Sequence, residues 1–216
     1  KQDYDYIVLA VGAWKKCPNI VQEGQENVTD ALDFLERSKK ADCKVELGTS
    51  VAVIGGGDVA MDCARAAKRA PGVEKGTMVY RRTQGFLPAE YEEICDTLEN
   101  GIELVELHAP LTYKDGILDC EVMRLGEWDK SGRRSVLGTG EHVALSFDTV
   151  ISAVGARVDP TTFQQAGVKL DDRHRPILGD GNESSIPNVY IAGDCKKGPA
   201  TVVAAVADAK AAARDI

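Results

Sequence analysis

Residues 50–68, SVAVIGGGDVAMDCARAAK, decide how the rest of the chain is read. Val51–Ile54 is an apolar run of buried-strand length, and Gly55, Gly56 and Gly57 end it before a small-residue helix begins. Gly55, Gly57 and Ala60 have the G-x-G-x-x-A spacing of a dinucleotide-binding fingerprint. In that motif the first glycine makes the strand-to-helix turn, and the second lets backbone N–H groups approach a pyrophosphate. The small third residue lets the helix press on the sheet. Ala60, Ala64 and Ala67 recur on one helix face, and Arg65, Lys68 and Arg69 suit the negative end of the helix dipole before Pro71-Gly72 stops it. The alternative is a glycine-rich turn of an α/β protein that binds nothing there.

Downstream, Thr77–Tyr80 reads as the second strand of a nucleotide fold. An NAD-selective fold places Asp or Glu near its end; here Arg81 and Arg82 stand instead. Two guanidiniums offer planar paired donors to a 2′-phosphate, although a solvated basic pair at a strand end has the same sequence. Residues 88–100 predict a helix with Pro88 at its start, Glu90, Glu92 and Glu93 on a solvated face, and Asn100-Gly101 as its stop. Residues 102–108 predict a half-buried strand. Short strands at 117–125, 133–137 and 142–147, with turns at 114–116 and 129–132, predict a β-meander. His108 and His142 lack partners at catalytic or metal-ligand spacing.

Upstream, residues 4–11 read as a buried strand that starts in mid-fold, 15–28 as polar connector, and 30–40 as a helix with Ala31, Leu32, Phe34 and Leu35 on one face. Towards the end, 148–154 is a strand running into Gly155, and Asp159-Pro160 opens a short helix that Gly167 closes. Val189–Ala192 is a strand ending in Gly193-Asp194. Gly198-Pro199 then introduces an Ala/Val-rich helix, with Pro199 in its first turn and free N–H groups that favour an anion or a partly negative ring edge. Asp194 is placed either to accept hydrogen bonds from ligand hydroxyls or to serve as an ordinary turn residue.

With 44% hydrophobic and 28% charged residues in 216, the composition is that of an ordinary globular protein of one large or two small domains. A net charge of −8 argues against nucleic acid or anionic membrane as partners, save for a local basic patch. No apolar run is long enough to cross a bilayer and no signal-peptide pattern is present, so a cytoplasmic protein is expected. Six scattered cysteines form no C-x-x-C pair, which supports no zinc site, iron–sulfur cluster or redox disulfide. No tyrosine has Lys four residues on, as a short-chain dehydrogenase would need. The first residues, Lys1-Gln2-Asp3, suggest a fragment or a processed chain.

Three stretches together resemble the pyridine nucleotide–disulfide oxidoreductases that bind FAD and NAD(P): VAVIGGGDVAMDCAR (51–65), VYRRTQGFLPAE (79–90) and NVYIAGDCKKGPATVVAAVADAK (188–210). YIVLAVGA (6–13) and TVISAVGA (149–156) match the crossings between the two domains of such proteins. The likeness is greatest to the glutamate synthase small-subunit type, which includes dihydropyrimidine dehydrogenase and selenate reductase or iron–sulfur oxidoreductase subunits. The resemblance implies an α/β Rossmann-like FAD/NAD(P)-binding fold, a central parallel sheet with helices and a β-meander layer. It implies that Gly55, Gly56, Gly57, Asp58, Val59 and Ala60 hold the NADPH pyrophosphate, and Arg81 and Arg82 the 2′-phosphate. Gly155 would lie near the nucleotide, Gly193 and Asp194 at the FAD ribityl chain, and Ala200, Thr201 and Val202 at the flavin ring. Val59 stands where the commonest motif has Thr. Hydride would pass from NADPH to FAD and on to an iron–sulfur domain or subunit, with no catalytic acid, base or nucleophile and no metal ligand in this chain.

No second G-x-G-x-x-G precedes residue 50. The expectation is therefore an NADP-binding domain, 20–156, between remnants of an FAD-binding domain at 1–19 and 157–216. Such a piece would be inactive alone and would not retain FAD. The reading from another class is a non-catalytic NAD(P)-binding or interaction module; the Gly193-Asp194 and Gly198–Val202 stretch argues against it, since a nucleotide sensor has no use for a flavin-facing helix start.

Overall fold

In the computed structural model, which describes residues 4–129 and 132–216, the glycine loop follows the central strand of a parallel sheet. The chain begins with two short strands, β1 (Ile7–Leu9) and β2 (Lys15–Lys16). Strands and helices then alternate: β3 (Val28–Asp30), α1 (Ala31–Lys40), β4 (Ser50–Ile54), α2 (Asp58–Lys68), β5 (Lys75–Tyr80), α3 (Tyr91–Glu99) and β6 (Glu103–Glu106). β7 (His108–Lys114), β8 (Ile117–Trp128) and β9 (Arg134–Ser146) form an antiparallel meander, followed by β10 (Thr149–Ser152). The remainder holds β11 (Ala156–Arg157), α4 (Thr161–Ala166), β12 (Val189–Ile191), α5 (Asp194–Lys197) and α6 (Val202–Asp215). Two compact units result, Pro18–Gly155, and the chain up to Cys17 with Ala156–Ile216.

The larger unit is built on the parallel order β3-β10-β4-β5-β6. Alternate residues of a strand face opposite sides, and parallel sheets need both sides covered. Val51, Val53, Met78 and Ile151 pack in one cluster with Phe34, Ala60, Ala64 and Ala67 of the helices. Ala52, Ile54, Val79 and Val150 pack in a second with Tyr113, Leu118, Cys120 and Phe147, from the meander and the turn that follows it. Asp30 caps α1 by accepting the Leu32 N–H at 2.9 Å. At the opposite end of β4, the Asp148 carboxylate accepts the N–H groups of Thr49 and Ser50, at 2.7 and 3.0 Å, and both hydroxyls. These bonds, the Thr49 N–H foremost, lower its pKa from 3.8.

Several expectations need correction. The helix expected from Pro88 starts at Tyr91, because the N–H groups of Ala89 and Glu90 are bonded to Gly56 O and the Asp58 carboxylate. β7 is a strand beyond the one expected at 102–108, and Arg134–Ser146 is one long strand where two are expected at 133–137 and 142–147. The 114–116 hairpin turn forms, with Asp115 and Gly116 at φ 50° and 77°; of the 129–132 turn, Lys130 and Ser131 lie outside the described residues, as do Lys1-Gln2-Asp3. All six cysteines are free, and burial pushes the Cys63 and Cys120 thiols up, the latter to about 12. No helix among the described residues is long and apolar enough to cross a membrane.

In the smaller unit, among the described residues, β1 pairs only with β12, in parallel, and β2 pairs antiparallel with β11. Residues 4–11 are not the buried strand expected: β1 spans only Ile7–Leu9, and Val8 is 48% exposed on an open face of the two-stranded pair. Phe163, Val168, Ile191 and Cys195 make a small core, and Gly167 at φ 76° ends α4.

Candidate nucleotide site

The site begins where β4 and β5 end side by side, with Ile54 opposite Val79. A Cβ on Gly55, at φ 144°, would strike the Ala153 carbonyl. A Cβ on Gly56 would come within 2.7 Å of Leu87 and 2.8 Å of the Tyr80 ring. Gly57 differs: its nearest neighbour would be Pro88 at 4.0 Å, and its backbone is extended at φ −91°. It is the N-cap of α2, and no side chain caps that helix. The protein's own packing thus explains two glycines and leaves the third bare beside free helix N–H groups, a cradle of the kind an anion needs.

The segment after β5 closes over this loop. Ala89 N–H donates to Gly56 O at 3.2 Å, and Tyr80 hydroxyl donates to Phe86 O at 2.7 Å. The Asp58 carboxylate accepts Glu90 N–H at 2.9 Å, so this side chain helps hold the covering segment in place. Val59 is 37% exposed and Ala60 is fully buried against the sheet. The two arginines differ in environment. Arg81 is exposed, with no hydrogen-bond or ion-pair partner among the described residues, whereas Arg82 is buried and donates through Nε to Arg134 O at 2.9 Å. Arg134 lies over the Trp128 ring at 5.6 Å, so the meander anchors the arginine turn. Gly155, at φ 101° with open space where a Cβ would be, is the last residue of this unit.

The remaining candidates belong to the smaller unit. Gly193, at φ 77°, donates its N–H to Asp208 at 2.8 Å. Asp194 sits in α5 and accepts Ala200 N–H at 3.2 Å. Thr201 caps α6 by accepting Ala204 N–H at 3.2 Å. Pro199 therefore precedes the helix rather than opening it: it follows α5 and the turn at Gly198, φ 110°, and Ala200 and the cap Thr201 separate it from α6. Val202 and Val203 are 80% and 77% exposed.

Three residues missed in the sequence hold this turn. Lys196 Nζ donates to Asp208 at 2.7 Å and to Asn182 Oδ1 at 2.8 Å, and Asn182 Nδ2 donates to Ile191 O at 3.0 Å. Burial opposes the Asp208 charge, but Lys196, Gly193 N–H and Asn182 outweigh it and hold the carboxyl below 3.8. The available signal was an isolated Asp in an Ala/Val helix twelve residues after a Lys.

A glycine turn at the C-terminal edge of a doubly covered parallel sheet is the architecture of the α/β dinucleotide-binding folds. The chain belongs to the pyridine nucleotide-disulphide oxidoreductase family, whose pattern matches residues 1–209. It is 40% identical over 212 residues to the YgfK protein of Escherichia coli O157:H7, covering 98% of this chain and 20% of that protein. It is 30% identical over 238 residues to the glutamate synthase [NADPH] small chain of Escherichia coli K12, covering 99% and 50%. Mycobacterium tuberculosis FprA in complex with NADPH has the same fold, with a TM-score of 0.76 at 20% identity over 98% of this chain and 63% of that one. The chain thus spans half or less of the length of these two curated relatives.

Proposed function

We propose that this chain is the NADPH-binding part of a flavoprotein oxidoreductase. Gly57, with the N–H groups of Asp58 and Val59, would hold the pyrophosphate, and Arg81 the 2′-phosphate, with Arg82 aiding through its terminal nitrogens. Gly155 would flank the nucleotide. Gly193, Asp194 and Ala200–Val202 would form one side of an FAD site, where the start of α6 favours negative charge at the flavin edge. When bound, NADPH and FAD supply hydride transfer, with electrons leaving to an iron–sulfur domain or subunit. The chain's own residues bind, orient and exclude water. The observation that carries this reading is the bare Gly57 face at an uncapped helix start, beside a strand followed directly by the exposed Arg81.

Calorimetric titration with NADPH and NADH tests it. Arg81→Ala should weaken NADPH about tenfold or more while sparing NADH, since one charge-assisted hydrogen bond contributes about 1.5–3 kcal/mol. Arg82→Ala should also lower stability, by about 1–3 kcal/mol, because Arg134 O loses its donor. Equal losses for both cofactors in Arg81→Ala would remove the 2′-phosphate assignment, and no binding of either by the unmodified chain would remove the site.

A further inference from the structure

The smaller unit contains a second feature that the nucleotide reading does not use, a cavity of about 560 Å3 with a basic wall. Lys15, Arg157, Arg173, His174, Arg175 and Lys197 line it from separate stretches of the chain, with Val158, Pro160 and Pro199 supplying apolar surface. Gathering cations around one hollow costs Coulomb energy unless something negative enters it. In a chain of net charge −8 the clustering is not a by-product of composition. Acids offset only part of it: Asp159 pairs with Lys15 at 3.5 Å, and Asp171 binds Arg175 through Nε at 3.0 Å and a terminal nitrogen at 2.8 Å. Arg157, Arg173 and Lys197 have no ion-pair partner among the described residues.

The turn carrying two of these arginines is built rather than loose. Asp171 Oδ1 accepts the backbone N–H groups of Arg173 and Arg175 at 2.9 and 2.8 Å. His174 between them takes φ 58°, a left-handed conformation uncommon for a residue with a side chain. The cavity is distinct from the hollow lined by Gly193, Asp194 and Ala200, with which it shares only Lys197 and Gly198.

We propose that this cavity binds a small phosphate-bearing anion of two or more negative charges, with an organic body against Val158, Pro160 and Pro199. Its volume lies in the range of small-molecule sites. Guanidiniums from two stretches of the chain, Arg157 and Arg173, offer paired donors that match phosphate oxygens. A recessed cavity favours a small anion over a flat acidic protein surface, which would be read by a raised basic face.

Inorganic pyrophosphate is the probe, titrated calorimetrically into the whole chain at low salt. The expected result is a Kd of about 0.1 mM or tighter. Arg157→Gln and Arg173→Gln should each weaken it about fivefold or more, and together beyond detection. Both side chains are exposed, so thermal midpoints and NADPH titrations should stay as they were, which separates a lost site from a lost fold. Absence of pyrophosphate binding overturns the proposal. So does binding that survives the double replacement but is lost in Gly57→Ala, which places it on the glycine loop. Binding of poly-glutamate without binding of pyrophosphate overturns it as well, in favour of an acidic protein partner.

Discussion

Three consecutive glycines answer to three different constraints. Gly55 is required by its φ of 144° and by the Ala153 carbonyl, and Gly56 by the Tyr80 ring and Leu87. Neither needs a ligand to explain it. Gly57 has ordinary dihedrals and open space, so protein packing gives no reason for its missing side chain. A fingerprint read as letters cannot separate these roles, because all three positions carry the same residue. Their substitutions should separate them. Gly56→Ala overpacks the site and should cost about 1–3 kcal/mol, seen as a lower midpoint in thermal or urea unfolding. Gly57→Ala should change stability by less than about 1 kcal/mol, yet weaken NADPH about tenfold or more by standing where the proposed site would place the pyrophosphate. A Gly57→Ala protein that binds NADPH unchanged would move the phosphate off this loop.

At the scale of elements, what could be read from sequence is what local pattern controls. β4, α2, β5 and α1 are legible because apolar period, small residues and caps all agree. β7 is hidden by Pro110 and a register shift between Pro110 and Thr112, tolerated because β7 is an edge of its sheet. β9 reads as two strands because Gly138-Thr139-Gly140 interrupts its pattern, with Gly140 at φ 79°. Long-range ties are the least legible, and Asp148 is one: it lies 99 residues from Thr49, which it holds. Its folded pKa is depressed, so its contribution is present above the unfolded value near 3.8 and fades as pH falls through the folded value. Asp148→Asn should therefore lower the thermal midpoint at neutral pH, and the gap from the unmodified chain should close on acidification below about pH 4. A gap independent of pH would assign the loss to geometry. The Lys196–Asp208–Asn182 cluster is another such tie. Lys196→Met leaves Asp208 without its cation and should speed hydrogen exchange at the Gly193 amide, with less effect when Asp208→Asn is added.

For the whole molecule, the decisive asymmetry is between the two units. The larger one covers both faces of five parallel strands, which is what such a sheet requires. The smaller rests on a two-stranded pair, β1 and β12, and leaves Tyr4, Trp14, Val202 and Val203 more than 70% exposed. Little apolar area is buried there to offset the entropy of ordering its long loops. Unequal cores should unfold separately. Calorimetry is expected to give two transitions, with NADPH raising only the one that belongs to Pro18–Gly155, because a ligand stabilises the unit that binds it. By the same reasoning the FAD site proposed at Asp194 and Ala200–Val202 should hold its ligand too weakly to keep it, and the purified chain should be colourless after gel filtration. A single transition that NADPH shifts as a whole would mean that the units fold as one. A flavin band that persists through the column would mean that one side of the site is enough to hold the ring.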